Sequence, residues 1–417
     1  LQNGKNVLAI EVHNVNNNSS DLTIIPFLSV GYNSTPSNSM GTLDFLNLQD
    51  SNLHTNFKLN ANGDFLIISN LDGDIEDSLY TLEQITDVSL GRYPNGSENL
   101  FFFNSPTPGR YNLDNGITKL IEPPVFSSEK GFYTIPFFLD ISHPNSIGTI
   151  KYTLDGSEPD ENSTTYFNQL VISQTAVIRA KVFASGFPAS KTVTNTFFVN
   201  QEQRLPIISL TTNPEHFFDA DSGIYVMGPN AEVTNPHYGA NFWQNWERPI
   251  HLEFFEENNV FGFETDLGVK IFGQWSRANS QKSLALYARG SYGKSTIDYQ
   301  LFPDSEINKY QSFVLRNSGT DWWYSLIRDA LTSEIVEQLD VDRQLYRPVV
   351  VYLNGEYWGI HNLREKISEH FIASHHKIPE DDINIIENNI VIVKGDEDTY
   401  TEFYNSLYNL DMSDEAS

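Results

Sequence analysis

Residues 268–290 read GVKIFGQWSRANSQKSLALYARG and hold the side chains best suited to chemistry. An apolar strand ends at Gly273, a polar loop follows with Ser276 and Arg277, and Lys282 opens a second strand. Alternation places Lys282 on one face with Leu284 and Leu286. A cation on an inward face needs an anionic partner or an anionic ligand. A phosphate group would satisfy it, and so would a plain surface hairpin that leaves the lysine in water. Both readings stay open at this level.

A second signal lies downstream. Leu326, Ile327, Ala330, Leu331, Ile335 and Leu339 recur at helical spacing, which predicts a helix over 322–339 capped by Thr320 or Asp321. At 100° per residue, Glu334 falls among Ile327, Ala330 and Leu331 on the apolar side. A strand lysine paired with a helix glutamate is one way to hold nucleotide phosphates. A glutamate at the stripe edge that reaches water is the alternative.

Other constellations weigh less. Gly290, Gly293, Lys294 and Ser295 imitate a phosphate-binding loop, but the glycine spacing is two residues short, so a turn is expected. His370, His375 and His376 with Glu369 match no zinc spacing and fit a solvated helix end. Asp155 and Asp160 suit turns better than calcium. Trp243, Trp246, Trp322 and Trp323 sit beside apolar neighbours, as core residues do. No metal ligand set is assigned.

The elements that must position these groups follow from composition. The chain has 417 residues, too many for one core. Its 28 Phe and 20 Tyr, with abundant Asn, Ser and Thr, favour strands and turns. A formal charge of −28 opposes nucleic-acid binding. Cysteine is absent, which excludes disulfides, thiolate metal sites and cysteine nucleophiles. No apolar run reaches the length of a membrane span. The first and last residues read as the edges of a fragment.

Four segments emerge. Residues 1–32 contain two strands around an Asn-rich turn, and GKNVLAIEVHNVNNNSSDL resembles the last strands of a galactose-binding-like jelly roll. Residues 33–40 are linker-like. Residues 41–112 carry turn signals at Asn62-Gly63 and Asp72-Gly73, and SLGRYPNGSENLFFFNSPTPGRYN resembles the end of a lamin-tail-like β-sandwich. Residues 122–200 place Ile150, Tyr152 and Leu154 on one face, and Ile178, Ala180 and Val182 opposite Arg179 and Lys181. This segment, with IKYTLDGSEPDENSTTY, resembles the chitobiase C-terminal-type (GH29D-like) sandwich and is expected to fold by itself. From residue 204 strands alternate with helical stretches. The fold class expected is mainly β with a C-terminal α/β part: immunoglobulin-like sandwiches followed by a partial kinase-like α+β domain.

Three ordered blocks, GVKIFGQWSRANSQKSLALYAR, FVLRNSGTDWWYSLIRDALTSEIV and RPVVVYLNGEYWGIHNLREKI, make residues 204–417 resemble the N-terminal part of the CotH (spore coat protein H) kinase-like family. The resemblance implies an atypical protein kinase using ATP and Mg²⁺ on a protein substrate, secreted or at the cell surface. It places Arg277 and Lys282 at phosphate, matches Glu365 to an acidic family position of no derived role, and puts the catalytic residues and metal ligands beyond Ser417; the carboxylate expected beside the lysine is Glu334, from the helical reading, with Glu365 second. The segment as given would then be catalytically incomplete. The alternative is a non-catalytic adhesion or polysaccharide-binding protein whose sandwiches take glycans.

Overall fold

The computed structural model describes residues 116–202, 204–339, 341–387 and 391–409, with 59, 63–70, 73–82, 84–85, 88–107 and 111–113 and the paired strands 9–14 and 22–27. Ala9–Asn14 pairs antiparallel with Leu22–Phe27, as the two-strand reading expects. In the next unit Phe65–Ser69 pairs with Ile75–Tyr80, and Ser89–Arg92 with Leu100–Phe103. Gly63 and Gly73 adopt φ of 103° and 89°, which a hairpin turn demands and glycine supplies. Asn62, Asp72, the linker-like stretch 33–40 and the Pro108-Gly109 step lie outside the described residues.

The sandwich follows. Its larger sheet orders Thr164–Thr165, Thr149–Thr153, Ala176–Phe183, Val193–Val199 and Gly131–Tyr133. Phe137–Leu139 pairs with Leu170–Ile172, and Val125–Phe126 with Ile141–Ser142. Ile178 and Ala180 point into a core with Leu139, Ile172 and Phe197, while Arg179 and Lys181 both reach Glu158 on the other face. Leu154 departs from the expected inward face. It lies just past its strand and is exposed, because the turn at Asp155 has already redirected the chain. Asp155 and Asp160 accept turn hydrogen bonds from Ser157, Asn162 and Ser163, which is turn chemistry.

Beyond residue 204 the strands close into a barrel, which the α/β texture did not announce. Its members are β1 (Ile207–Thr211), β2 (Arg248–Phe255), β3 (Phe261–Phe272), β4 (Ser283–Tyr287), β5 (Ser312–Arg316), β6 (Tyr346–Leu353) and β7 (Glu356–Glu365). The order is β1-β2-β3-β4-β5-β7-β6, antiparallel except where β6 meets β1 in parallel and closes the ring. Closure leaves no open edge among these strands. Ile208, Leu210, Leu252, Phe254, Leu284, Leu286, Val349 and Val351 alternate inward and fill one core. Among the described residues the helices α1 (Pro214–Phe218), α2 (Arg328–Ile335), α3 (Glu369–His376) and α4 (Glu397–Asn409) accompany it. None among the described residues is long and apolar enough to cross a membrane.

The sandwich and the barrel share a seam. Period-two alternation sends Ile207, Phe255, Val350 and Tyr352 out of the barrel to meet Phe132 and Phe198. Phe198 stacks on Phe132 at 4.7 Å and meets Phe255 and Tyr352 edge-on. The continuous apolar run of β6 is explained by these two destinations: one face in the barrel, the other in the seam. At its tip Asn354 and Gly355 have φ of 51° and 83°, a tight hairpin turn against the backbone of Ala176 and Val177.

Candidate functional site

Gly273, at φ 103°, turns the chain out of β3 into a short helical turn, Trp275–Ala278, and Lys282 then leads into β4. Leu284 and Leu286 enter the barrel core, so Lys282 is drawn inward with them and is only 4% exposed. Its backbone is clamped on both sides. Its N–H donates to Tyr225 Oη at 2.8 Å, and its carbonyl faces His361 Nε2 at 3.3 Å.

The tautomer of His361 follows from its neighbours. Trp322 Nε1 donates to Gln281 Oε1 at 2.8 Å, which turns the Gln281 amide nitrogen toward His361 Nδ1 at 3.2 Å. Nδ1 therefore accepts, and Nε2 carries the hydrogen that goes to the Lys282 carbonyl. Burial holds the His361 pKa down at about 4, against the opposing pull of the Lys282 and Gly359 backbone, so the ring is neutral at ordinary pH.

The ammonium of Lys282 has no carboxylate among the described residues. It donates to the carbonyls of Arg277 at 2.6 Å and Asn279 at 2.9 Å, and lies 4.0 Å from the centre of the Phe242 ring. Two of its three N–H groups are thereby used. Burial lowers its pKa to about 8. Arg277 behaves alike: its guanidinium donates to the carbonyls of Gly273 and, at 3.1 Å, Phe242, and lies over Trp243. Burial also lowers its pKa. Asn317 fastens the next loop to this one, accepting from Ser283 Oγ at 2.8 Å and donating to the Gln281 carbonyl at 2.6 Å.

Of the four residues singled out from the sequence, Arg277 and Lys282 come together and the two glutamates do not. Glu334 is half exposed and its nearest cation is Arg343, at 3.9 Å. The reason is the orientation of α2. Ile327, Leu331, Ile335 and Leu339 face solvent, and the inward side carries Ala330 with Asp329 and Ser333, which bind the fully buried Arg364 at 2.9 and 3.0 Å. The predicted helix over 322–339 is also shorter, because Leu326 has φ of 63°. Its N-cap is Ile327 instead of Thr320 or Asp321, although Asp321 reaches forward to accept the Arg328 N–H at 3.0 Å. Glu365 is buried at the end of β7, where it accepts from the Leu345 N–H at 3.0 Å and pairs with His375 Nε2 at 2.8 Å. It sits four residues along the strand from His361, about 13 Å at strand rise. The expected lysine–glutamate pair is not formed.

The sequence reading missed the clamp of Tyr225, Gln281, Asn317 and His361. Its signal was the placing of polar residues beside apolar strand ends: His361 and Asn362 in β7, and Asn317 just after β5. The decoy loop proves to be a turn at Gly290–Tyr292. His370, His375 and His376 pair separately with Glu380, Glu365 and Asp342 and do not converge.

Among the described residues one group of side chains has metal-like spacing, and it sits on the seam. His251, Glu253 and Glu264 bring their ligand atoms within 4.8 Å of one another. A cation of the chain itself already occupies them. Lys130, from the sandwich, lies 2.8 Å from Glu253 and also pairs with Glu264.

A mainly β chain results, in which a sandwich module is joined to a barrel bearing a cationic loop. Residues 269–415 match the family described as CotH kinase protein, and residues 128–194 match the Chitobiase/beta-hexosaminidase C-terminal domain. The C-terminal segment is thus CotH-type and kinase-like, as its three sequence blocks suggest. The match begins inside β3, so β1 and β2, which close the same barrel, lie ahead of it. No curated protein matches the chain.

Proposed function

We propose that the loop at residues 274–282 receives the phosphates of ATP, and that the protein is a CotH-type phosphotransferase acting on a protein substrate outside the cell or at its surface. The observation that carries this reading is the state of Arg277 and Lys282. Among 54 acidic and 26 basic residues, these two cations have only neutral carbonyls and rings as described partners. Carbonyl dipoles leave the net charge of the pair in place. At an effective dielectric of 20, one phosphate charge about 4 Å from one ammonium is attracted by about 4 kcal/mol before desolvation. The kinase match supports the substrate class; the exported setting rests on the sequence resemblance alone.

Mg²⁺ accompanies ATP in kinases and neutralises the β- and γ-phosphates. No carboxylate among the described residues pairs with this loop, so the groups present fit phosphate and not the metal ion. Their chemistry is binding: Lys282 and Arg277 supply charge, and His361, Gln281 and Tyr225 hold the lysine backbone in place.

Titration calorimetry with ATP at pH 7 tests the reading. Arg277→Ala and Lys282→Met are expected to weaken binding tenfold or more, on the order of one lost charge-assisted contact each. Lys294→Ala, in the decoy turn, is expected to bind as the parent does. If the Lys282 and Lys294 variants behave alike while both remain folded, the phosphate site is wrong and the glycan-binding reading moves to first place.

A further inference from the structure

Both jaws of the clamp on Lys282 hang on one short stretch of β7. His361 holds the lysine carbonyl, and Gln281 beside it donates to the Ile360 carbonyl at 3.0 Å. Tyr225, which accepts the lysine N–H, is met edge-on by the Trp358 ring at 5.4 Å. A β-bulge puts Trp358 there. Val351 pairs with Gly359 and Tyr352 with Tyr357, so Trp358 is the extra residue of β7, and a bulge re-aims such a side chain. Gly359, at φ of 110°, leaves the space that the Gln281 amide fills: a Cβ there would lie 2.6 Å from Gln281 Nε2. The bulge itself is pinned from outside the barrel. Tyr352, beside it on β6, lies edge-on to Phe198 of the sandwich at 5.0 Å and to Tyr357 at 5.9 Å. Two residues on, the hairpin tip rests on the sandwich. The Asn354 side chain fills the space where Gly156 lacks a Cβ, and Gly355 lies against the backbone of Ala176 and Val177. One unbroken run of contacts leads from the sandwich through β6 and the bulge to both sides of Lys282.

We propose that the sandwich is a positioning part of the lysine site: Phe198, through Tyr352, fixes the bulge from which Trp358 and His361 hold the Lys282 loop. The module's task in this chain is then to set the geometry of a cationic loop in its neighbour. The loop's placement does not depend on what it binds, so the inference goes beyond the phosphate reading and has a readout of its own. Its physical basis is close packing, which transmits a displacement instead of absorbing it. Phe198, Tyr352 and Trp358 are positioning residues, because they act through Tyr225 and His361. Loosening them should free the Lys282 N–H from Tyr225 and admit water to the ammonium. Burial now holds that group at about 8, so its pKa should move up toward 10.5.

Hydrogen exchange on the full chain tests this without a ligand, and the pH profile of inorganic tripolyphosphate affinity, by calorimetry, tests it with one. Phe198→Leu and Trp358→Ala are expected to speed exchange of the Lys282 amide about tenfold or more, while the barrel amides of Leu252 and Leu267 keep their protection. Trp358→Phe keeps an aromatic ring against Tyr225 and should restore the slow rate. Ile178→Val removes packing from the sandwich core away from the seam and should leave Lys282 unchanged. In the two loosening variants the fall of tripolyphosphate affinity with pH should move to higher pH, which plain destabilisation would not do. The proposal is overturned if Lys282 exchange responds to Ile178→Val as much as to Phe198→Leu, or ignores Trp358→Ala. A Phe198→Leu protein whose sandwich melts while the Lys282 amide stays protected would overturn it too. Parent protein that binds no tripolyphosphate would remove the phosphate reading, and the exchange rates alone would then decide the positioning role.

Discussion

Replacing Lys130 with methionine strips an ammonium from the acid pocket at the seam while keeping most of the side chain's length. In the native protein this ammonium lies 2.8 Å from Glu253, pairs with Glu264 and donates to the Thr194 carbonyl at 3.0 Å. Burial works against its charge, but the two carboxylates outweigh it and raise its pKa. Glu253 is fully buried and keeps bonds from the Thr196 N–H and hydroxyl. Breaking a buried pair from one side costs about 3–5 kcal/mol, because the other charge stays behind unpaired. His251 remains close enough to share the burden, so the lower end, about 3 kcal/mol, is expected. For a folding unit of roughly 250 residues this lowers Tm by about 6–12 °C. Differential scanning calorimetry measures it, and Lys130→Met with Glu253→Gln should recover most of the loss, since glutamine needs no counter-charge. A fall under about 2 °C, or a double variant no better than the single, would refute the account. The same pocket sets a pH window. Burial opposes the charge on His251, yet Asp266 and Glu264 raise its pKa from 6.5 to about 9, so its contribution is full below pH 6.5 and fades as pH rises through 9. Burial alone would raise Glu264, yet His251 and Lys130 lower it from 4.5 to about 2, so its contribution is full above pH 4.5 and fades as pH falls through 2. The native seam should be firmest between about pH 4.5 and 6.5, and the single variant should lose part of this pH dependence.

The other predictions concern the site and the seam's turn. Because burial lowers Lys282 to about 8, tripolyphosphate affinity should fall as pH rises from 7 to 9, and the Lys282→Met protein should show a flatter profile. Glu334→Gln should change stability by less than about 0.5 kcal/mol, as a loose surface pair allows. Glu365→Ala should cost about 1–3 kcal/mol by stranding the Leu345 N–H and His375. Neither glutamate variant should alter phosphate affinity by calorimetry, and a tenfold loss in either would restore the lysine–glutamate pair that the geometry denies. Gly156→Ala should destabilise by roughly 1–3 kcal/mol in a denaturant titration. Gly156 has φ of 86°, and a Cβ there would lie 2.3 Å from the Asn354 side chain across the seam.

Much of the local structure is legible in the sequence because its causes are local. Ile178, Ala180 and Val182 alternate with Arg179 and Lys181, and a strand's period of two converts that string into a core face and an outer face. Asp155 and Asp160 bond to N–H groups two residues on, so their turns need nothing from the rest of the chain. Arg277 and Lys282 share one loop and come together for the same reason. The orientation of α2 does not follow from its own residues. Its apolar stripe repeats correctly, but Arg364, buried in β7, requires Asp329 and Ser333, and the cost of an unpaired buried guanidinium turns the other side inward. The clamp on Lys282 likewise joins residues from four separate stretches: Tyr225, Gln281, Asn317 and His361. The parallel pairing of β1 with β6 closes the barrel, and Lys130 meets Glu264 from 134 positions away. Closure entropy changes only with the logarithm of such separations, so no spacing in the sequence marks which distant partners will meet. Those meetings are decided by the assembled core, where each buried charge must find its counterpart.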